Sequence, residues 1–314
     1  MAIKTLEGLC AWSHSRANTM ATCQRQFYLS YCADSRWDST DPRMRDLYLL
    51  KQVKPIAMWK GDIVHQALAE YFRNLQDGKP LPFAKTAQFA EQMAKRQWDF
   101  SRAARYRSQG RKKAGLAFAA LFEHEYKLQD AESLVEALDH IRTCLEHFYD
   151  LDSTHRISAA FREGHKCLIE PPAWGDGATT FDLPGIRVTV KVDLAFASKD
   201  GQYYIYDWKT GMAREEAVAQ LELYILWAHL SLGYPLESIS AHEVSLYPGV
   251  LSRHQLTEPG KTYRLVAVRR SATLIDVLTS PSDTRLLDIG EFNYARHVGT
   301  CRRCPLLRVC QDLP

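Results

Sequence analysis

A chain of 314 residues is too long for a minimal domain and short for three, so one large domain with an insertion, or two domains, is the expectation. Its 46% hydrophobic and 25% charged residues are ordinary for a folded chain, and a net charge of +3 permits a nucleic-acid partner without requiring one. No stretch approaches about 18 uninterrupted apolar residues, so no membrane span is expected.

The start, MAIKTLEGLCAWSHS, lacks a basic region followed by an apolar run, so no signal peptide is expected. The implied location is cytoplasmic or nucleoid-associated. In such a reducing setting, clustered cysteines read as metal ligands rather than disulfides.

In chain order, the first 75 residues read as helical. GDIVHQALAEYF (Gly61–Phe72) places Val64, Ala67, Leu68, Tyr71 and Phe72 on one face. FAKTAQFAEQMAKRQW and AESLVEALDHIRTCLEHFYD follow as long amphipathic helices. Between them, SRAARYRSQGRKK is dense in Arg and Lys. From about residue 161 the texture turns to strands: HKCLIE, GIRVTVKVDLAFAS and QYYIYDWK are rich in β-branched and aromatic residues. REEAVAQLELYILWAHLSLG reads as a helix. SAHEVSLYP and TYRLVAVRR read as two further strands, and the tail as helical or irregular.

The most informative stretch is VTVKVDLAFASKDGQYYIYDWKTG. Period-two alternation puts Tyr203, Ile205, Asp207 and Lys209 on one face and Tyr204, Tyr206 and Trp208 on the other. In the preceding strand Thr189, Lys191, Asp193 and Ala195 share a face. KDG fits a three-residue hairpin loop with a left-handed glycine last. If Ser198 pairs with Gln202, Asp193 lies opposite Asp207, with Lys209 one step along; a two-residue loop would break that register. Two facing carboxylates repel unless a cation joins them. Their hard oxygens suit Mg²⁺ or Mn²⁺, and a lysine beside the ion can orient water or stabilise a phosphoryl transition state. Asp-X-Lys alone is also what an ordinary solvated sheet face shows.

With its surroundings, the hairpin resembles the active-site hairpin of the PD-(D/E)xK nuclease superfamily, RecB-like branch, in which a strand Asp precedes a hydrophobic strand ending Asp-X-Lys-Thr-Gly. GDIVHQAL resembles that branch's Gly-x-x-x-His helix, and QLELY its Gln-x-x-x-Tyr helix. Glu170, in CLIE, matches the acid of the strand before. The resemblance implies an α/β restriction-endonuclease-like core, a mixed β-sheet flanked by helices, with a helical insertion and a C-terminal cluster-binding segment. The implied division is 1–75 for the N-terminal helical part of the core, 76–160 for the insertion and 161–314 for the remaining core and cluster segment. His65, Asp193, Asp207 and the Trp208 carbonyl would hold Mg²⁺ or Mn²⁺. Lys209, with Asp207, Asp193 and Glu170, would form the catalytic set, Lys209 assisting the attacking water. Gln220 and Tyr224 would line the site and touch DNA. One departure is Val190, where the family usually has glycine.

CRRCPLLRVC supplies three thiols, Cys301, Cys304 and Cys310. Zinc and a 4Fe-4S cluster each call for four ligands. Cys144 and Cys167 read as buried free cysteines. TMATCQRQFYLSYC resembles the N-terminal segment of iron–sulfur RecB-like nucleases. That resemblance, to AddB-type and CRISPR spacer-acquisition nucleases, selects Cys23 over Cys32 and a 4Fe-4S cluster over zinc, tying the chain ends together.

EPGKTY invites a phosphate-loop reading, but position 255 is Gln255 where that motif needs glycine, and a strand is expected to follow. ATP binding is therefore not expected. The Arg102–Lys113 run reads equally as a solvated surface or a grip on DNA phosphates; Trp59, Tyr224 and Trp227 read by default as core packing, with stacking on unpaired bases the alternative. The expected activity is metal-dependent hydrolysis of DNA phosphodiesters, exonuclease favoured, on single strands or ends, in recombination, repair, CRISPR adaptation or a phage setting. Residues 76–160 would offer a protein-partner surface. The alternatives are a catalytically silent DNA-binding or scaffold subunit, and a zinc-stapled protein.

Overall fold

The computed structural model describes residues 8–128, 132–171, 179–211, 216–247, 249–279 and 288–311. Ala131, Arg214, Glu215 and Pro248, each within an expected helix or strand, lie outside them. In chain order the chain forms β1 (Cys10–Ser13), α1 (His14–Thr22), α2 (Pro42–Leu50), α3 (Ile56–Gln76), α4 (Phe83–Arg102), α5 (Leu134–Asp150) and α6 (Asp152–Glu163). It continues through β2 (His165–Ile169), β3 (Thr179–Leu183), β4 (Ile186–Val190), β5 (Leu194–Ala197) and β6 (Tyr203–Lys209). Then come α7 (Glu216–Leu232), β7 (Ile239–Ser245), β8 (Val250–His254) and α8 (Glu258–Thr279). The architecture is α/β, with two mixed sheets flanked by helices, as a restriction-endonuclease-like fold requires.

Two compact units form. The first gathers residues 1–53, 180–190 and 262–314; the second gathers 54–179 and 191–261. In the second unit the sheet order is β2-β5-β6-β7-β8, with β6 and β7 parallel and the other neighbours antiparallel. Central strand β6 is covered on both sides, which is why it reads as a nearly continuous apolar and aromatic run. Tyr204, Tyr206 and Trp208 pack toward the helices, where Trp208 stacks on Phe72 at 5.9 Å and meets Phe148 edge-on at 5.7 Å. Tyr203, on the other face, meets Trp227 of α7. Ala90 and Ala94 of α4, and Ile141, Leu145 and Phe148 of α5, join the same core as Val64 and Leu68 of α3.

In the first unit, β1 pairs parallel with β4 in the order β1-β4-β3. Helix α8 is tied to β1, where the Trp12 indole donates to Ser271 Oγ at 2.9 Å.

Four local expectations change. GIRVTVKVDLAFAS is not one strand. It breaks at 191–193, with β4 in the first unit's sheet and β5 in the second's, because alternation persists in sequence whichever partner a strand takes. TYRLVAVRR is helical. Val268, Ala272, Ile275 and Thr279 are its buried stripe, at helical spacing, while Tyr263 and Val266 are exposed. The strand argument against ATP binding therefore falls, while Gln255 in place of glycine stands. The short strands β1, β3 and β8 were not expected from the sequence. The expected uniformly helical N-terminus opens on β1.

Gly164 enters β2 under close constraint. A Cβ there would lie 2.9 Å from the Phe196 ring and 3.0 Å from the Ala197 carbonyl oxygen. Gly164→Ala is expected to lower unfolding free energy by about 1–3 kcal/mol, measured by denaturant titration. Unchanged stability would mean that the β2–β5 edge yields freely.

Candidate active site

The β5–β6 hairpin sets the site. Ser198 N donates to Gln202 O at 2.8 Å, and Gly201, at φ +83°, closes the three-residue loop. Leu194 faces Tyr206 in the ladder, so one step further Asp193 faces Asp207, the register expected from the loop. Both acids are buried, at 6% and 2% exposure.

Helix α3 delivers His65. Its Gly-x-x-x-His spacing has a physical reason: a Cβ on Gly61 would meet Thr210 Oγ1 at 3.0 Å, so glycine lets the helix approach the end of β6. One turn on, His65 Nε2 lies 2.9 Å from the Trp208 carbonyl oxygen. His65 Nδ1 lies 3.1 Å from Glu170 Oε2 and 3.3 Å from Asp193 Oδ1. Both ring nitrogens face oxygen acceptors, so the ring is held as imidazolium. Burial opposes that charge, but Asp193 and Glu170 override it and hold the His65 pKa well above the ordinary value.

Glu170 answers to the same partners. Burial disfavours its charge, yet His65 and the Lys191 ammonium, which is ion-paired with it, hold it down at about 2. Its backbone N donates to Asp193 O at 2.7 Å, and Arg73 donates to its carbonyl. Asp207 goes the other way. Burial and the facing Asp193 push it up to about 6, against Lys209 and His65.

Lys209 Nζ is 2.6 Å from Asp207 Oδ2 and donates to Gln220 Oε1 at 2.9 Å. Burial works against its charge, but Asp207, Asp193 and Glu243 keep its pKa above the ordinary lysine value. Gln220 donates on to Tyr224, whose hydroxyl donates to Lys191 O at 2.6 Å. Gln220 and Tyr224 thus stand one turn apart on α7, positioning Lys209.

His65, Glu170 and Asp193 form a metal-capable trio, their ligand atoms within 4.8 Å of one another. Asp207 stands beside the trio, paired with Lys209. Imidazole, hard carboxylates and a backbone carbonyl form a donor set suited to Mg²⁺ or Mn²⁺. Asp207 Oδ2 is buried with the Lys209 ammonium 2.6 Å away, so a cation bound there would share the carboxylate with that lysine. The residues fit a divalent cation.

Two participants escaped the sequence reading of roles. Lys191 sits in the break between β4 and β5. Glu243, 8% exposed, neighbours Asp207 across the parallel ladder. The signal for Glu243 was that it is the one acid in β7. The stacking candidates Trp59, Tyr224 and Trp227 are 1%, 2% and 5% exposed, so their rings serve the core and are closed to bases. In the basic run, Arg102 pairs with Asp99 and Arg107 with Glu125, while Arg105, Lys112 and Lys113 are exposed.

In the first unit, Cys23, Cys301, Cys304 and Cys310 line one small cavity with Gln26, Leu29, Tyr294, Ala295, Thr300 and Leu307; Cys32 does not line it. None of the four is in a disulfide. Burial pushes the Cys304 thiol up to about 11, with the other three adding to it. Gln26 N donates to Cys23 Sγ at 3.3 Å. The Arg25 guanidinium lies over the Tyr294 ring at 3.8 Å and lowers the cost of charge on Cys310, against its burial.

A family model described as the PD-(D/E)XK nuclease superfamily matches residues 11–311. No curated protein sequence matches the chain. Among the described residues, no helix is long and apolar enough to cross a membrane.

A cation ligated by His65 must displace its proton. The His65–carboxylate pairing stabilises the metal-free fold fully below pH 6.5 and fades as pH rises through the raised His65 pKa. The rise in melting temperature on adding Mn²⁺, relative to EDTA, should therefore grow from about pH 6 to about pH 9. An equal rise at every pH would refute the proton-coupled site. Ionised Asp207 weighs on the metal-free fold above about pH 6. Asp207→Asn should accordingly melt no lower than wild type in EDTA at pH 8, yet gain less from Mn²⁺.

Proposed function

Because the chain belongs to the PD-(D/E)XK nuclease superfamily, we propose that it is a Mg²⁺- or Mn²⁺-dependent deoxyribonuclease of the RecB-like branch, an exonuclease acting on single-stranded DNA or DNA ends, with a 4Fe-4S cluster in its first unit. The observation that carries the catalytic reading is Asp193 facing Asp207, with Lys209 on Asp207 and His65 joining Asp193 to the Trp208 carbonyl.

His65, Asp193, Asp207 and the Trp208 carbonyl would hold the cation, with Glu170 as a further carboxylate within reach. When bound, the ion supplies Lewis-acid polarisation of a phosphate oxygen and acidifies a water. Lys209 Nζ, kept protonated by the carboxylates around it, acts as a hydrogen-bond donor to the attacking water and the scissile phosphate rather than as a base. Gln220 fixes the lysine's direction, and Tyr224 fixes Gln220. Trp208 N holds Asp193 Oδ2 at 2.8 Å, leaving Asp193 Oδ1 toward His65. Exposed Arg105, Lys112 and Lys113 offer charge for a DNA backbone.

Four thiols lining one cavity match the four-ligand demand that a 4Fe-4S cluster and zinc share, which supports a metal centre at Cys23, Cys301, Cys304 and Cys310.

Lys209→Ala is expected to slow cleavage about 10²-fold or more, with Mg²⁺ or Mn²⁺, on single- and double-stranded DNA. A wild-type protein that cuts neither substrate with either metal would leave a silent DNA-binding subunit as the better reading. Cys23→Ser should lose iron and melt lower, while Cys32→Ser keeps its iron. The reverse outcome would move the fourth ligand to Cys32.

A further inference from the structure

The rings first considered for stacking are buried, but an accessible one stands at the end of the catalytic strand. β7 runs parallel to β6 through Lys209↔Ser245, and Leu246 N continues the pairing by donating to Lys209 O at 2.7 Å. Tyr247 comes next, 44% exposed. Its ring stacks on His140 of α5, centroids 4.6 Å apart and planes 19° from parallel.

The stack is anchored on both sides. His140 Nε2 donates to the carbonyl of Thr210, the residue after Lys209, at 2.9 Å. His147, two turns further along α5, donates from Nδ1 to Leu246 O at 2.6 Å. Burial first, then Lys60, lowers the His140 pKa, so the imidazole is neutral and stacks as a flat ring. One face of Tyr247 is filled by imidazole while much of the side chain meets solvent. The stack holds the tyrosine ring in one orientation while leaving much of it accessible. A ligand with its own flat π-face would meet a surface whose ordering cost is already met.

Resting on the nuclease reading, we propose that Tyr247, backed by His140, is a stacking platform for an unpaired nucleobase of the strand being cut. The main-chain bonds to Lys209 and Thr210 set it beside the catalytic lysine. A base stacked there would hold the neighbouring phosphate toward Lys209, and a base inside a duplex, stacked by neighbours on both faces, could not take the place. The platform would thus favour single strands over duplex without reading sequence.

The test uses the full-length protein and single-stranded oligonucleotides carrying 2-aminopurine, with binding followed in EDTA by anisotropy and by fluorescence quenching. Tyr247→Ala should weaken single-strand binding by about 5- to 100-fold and abolish quenching. Tyr247→Phe should stay within about twofold of wild type and still quench. Duplex binding should change less than single-strand binding in either variant. Wild-type binding and quenching by a folded Tyr247→Ala would overturn the platform alone. Equal losses in Tyr247→Ala and Tyr247→Phe would overturn it too, since the hydroxyl and not the ring would then matter. A wild-type protein that neither binds nor cuts DNA would overturn the nuclease reading, and the platform with it.

Discussion

Two buried carboxylates face each other across a pair of adjacent strands, and the second unit is organised around that repulsion. Asp193 and Asp207 cannot both carry charge there unless positive groups surround them. His65 arrives from α3, Lys209 from the strand that carries Asp207, and Lys191 from the break before Asp193, where it pairs with Glu170. Even so, Asp207 stays raised to about 6, so the protein's own cations leave part of the demand unmet. That remainder is what a divalent ion would satisfy.

The scaffold holds this arrangement by using one residue in two ways. The Trp208 ring is sealed among Phe72, Phe148 and Tyr206, while its backbone N–H and carbonyl face Asp193 and His65. The aromatic core therefore fixes the height of β6, and its main chain fixes two residues of the candidate site. Gly61 makes the complementary concession on the helix, giving up a side chain so that α3 can lie against the end of β6. Helices α4 and α5 share the core that grips Trp208, and α5 also supplies His140 and His147, which clamp the chain beyond Lys209.

The first unit answers a different constraint. Of the four thiols around one small cavity, Cys304 and Cys310 resist ionisation, since burial and the neighbouring thiols raise their pKa values. Thiolates could persist there only with a metal centre among them, helped by the Gln26 N–H on Cys23 and the Arg25 guanidinium near Cys310. The four thiols come from opposite ends of the sequence, so a centre among them would close a loop of nearly its whole length.

Much of the catalytic hairpin was legible in the sequence, because its determinants are local. Three loop residues ending in Gly201 set the register, period-two alternation set the faces, and one helical turn linked Gly61 to His65 and Gln220 to Tyr224. What stayed hidden depended on partners distant in sequence. Alternation ran through residues 186–197 without marking where the strand changes sheet, and helix α8 presented a strand-like start because its buried stripe lies further along. Burial of Trp59, Tyr224 and Trp227, and exposure of Tyr247 on His140, followed from packing that no local pattern encodes. Glu243 and Lys191 entered the site through the parallel ladder and the strand break. The sequence by itself determined which groups could do chemistry and which short-range spacings join them; the tertiary structure alone decided which lie close enough to perturb one another's charge, because electrostatic coupling depends on distance and burial, not on order along the chain.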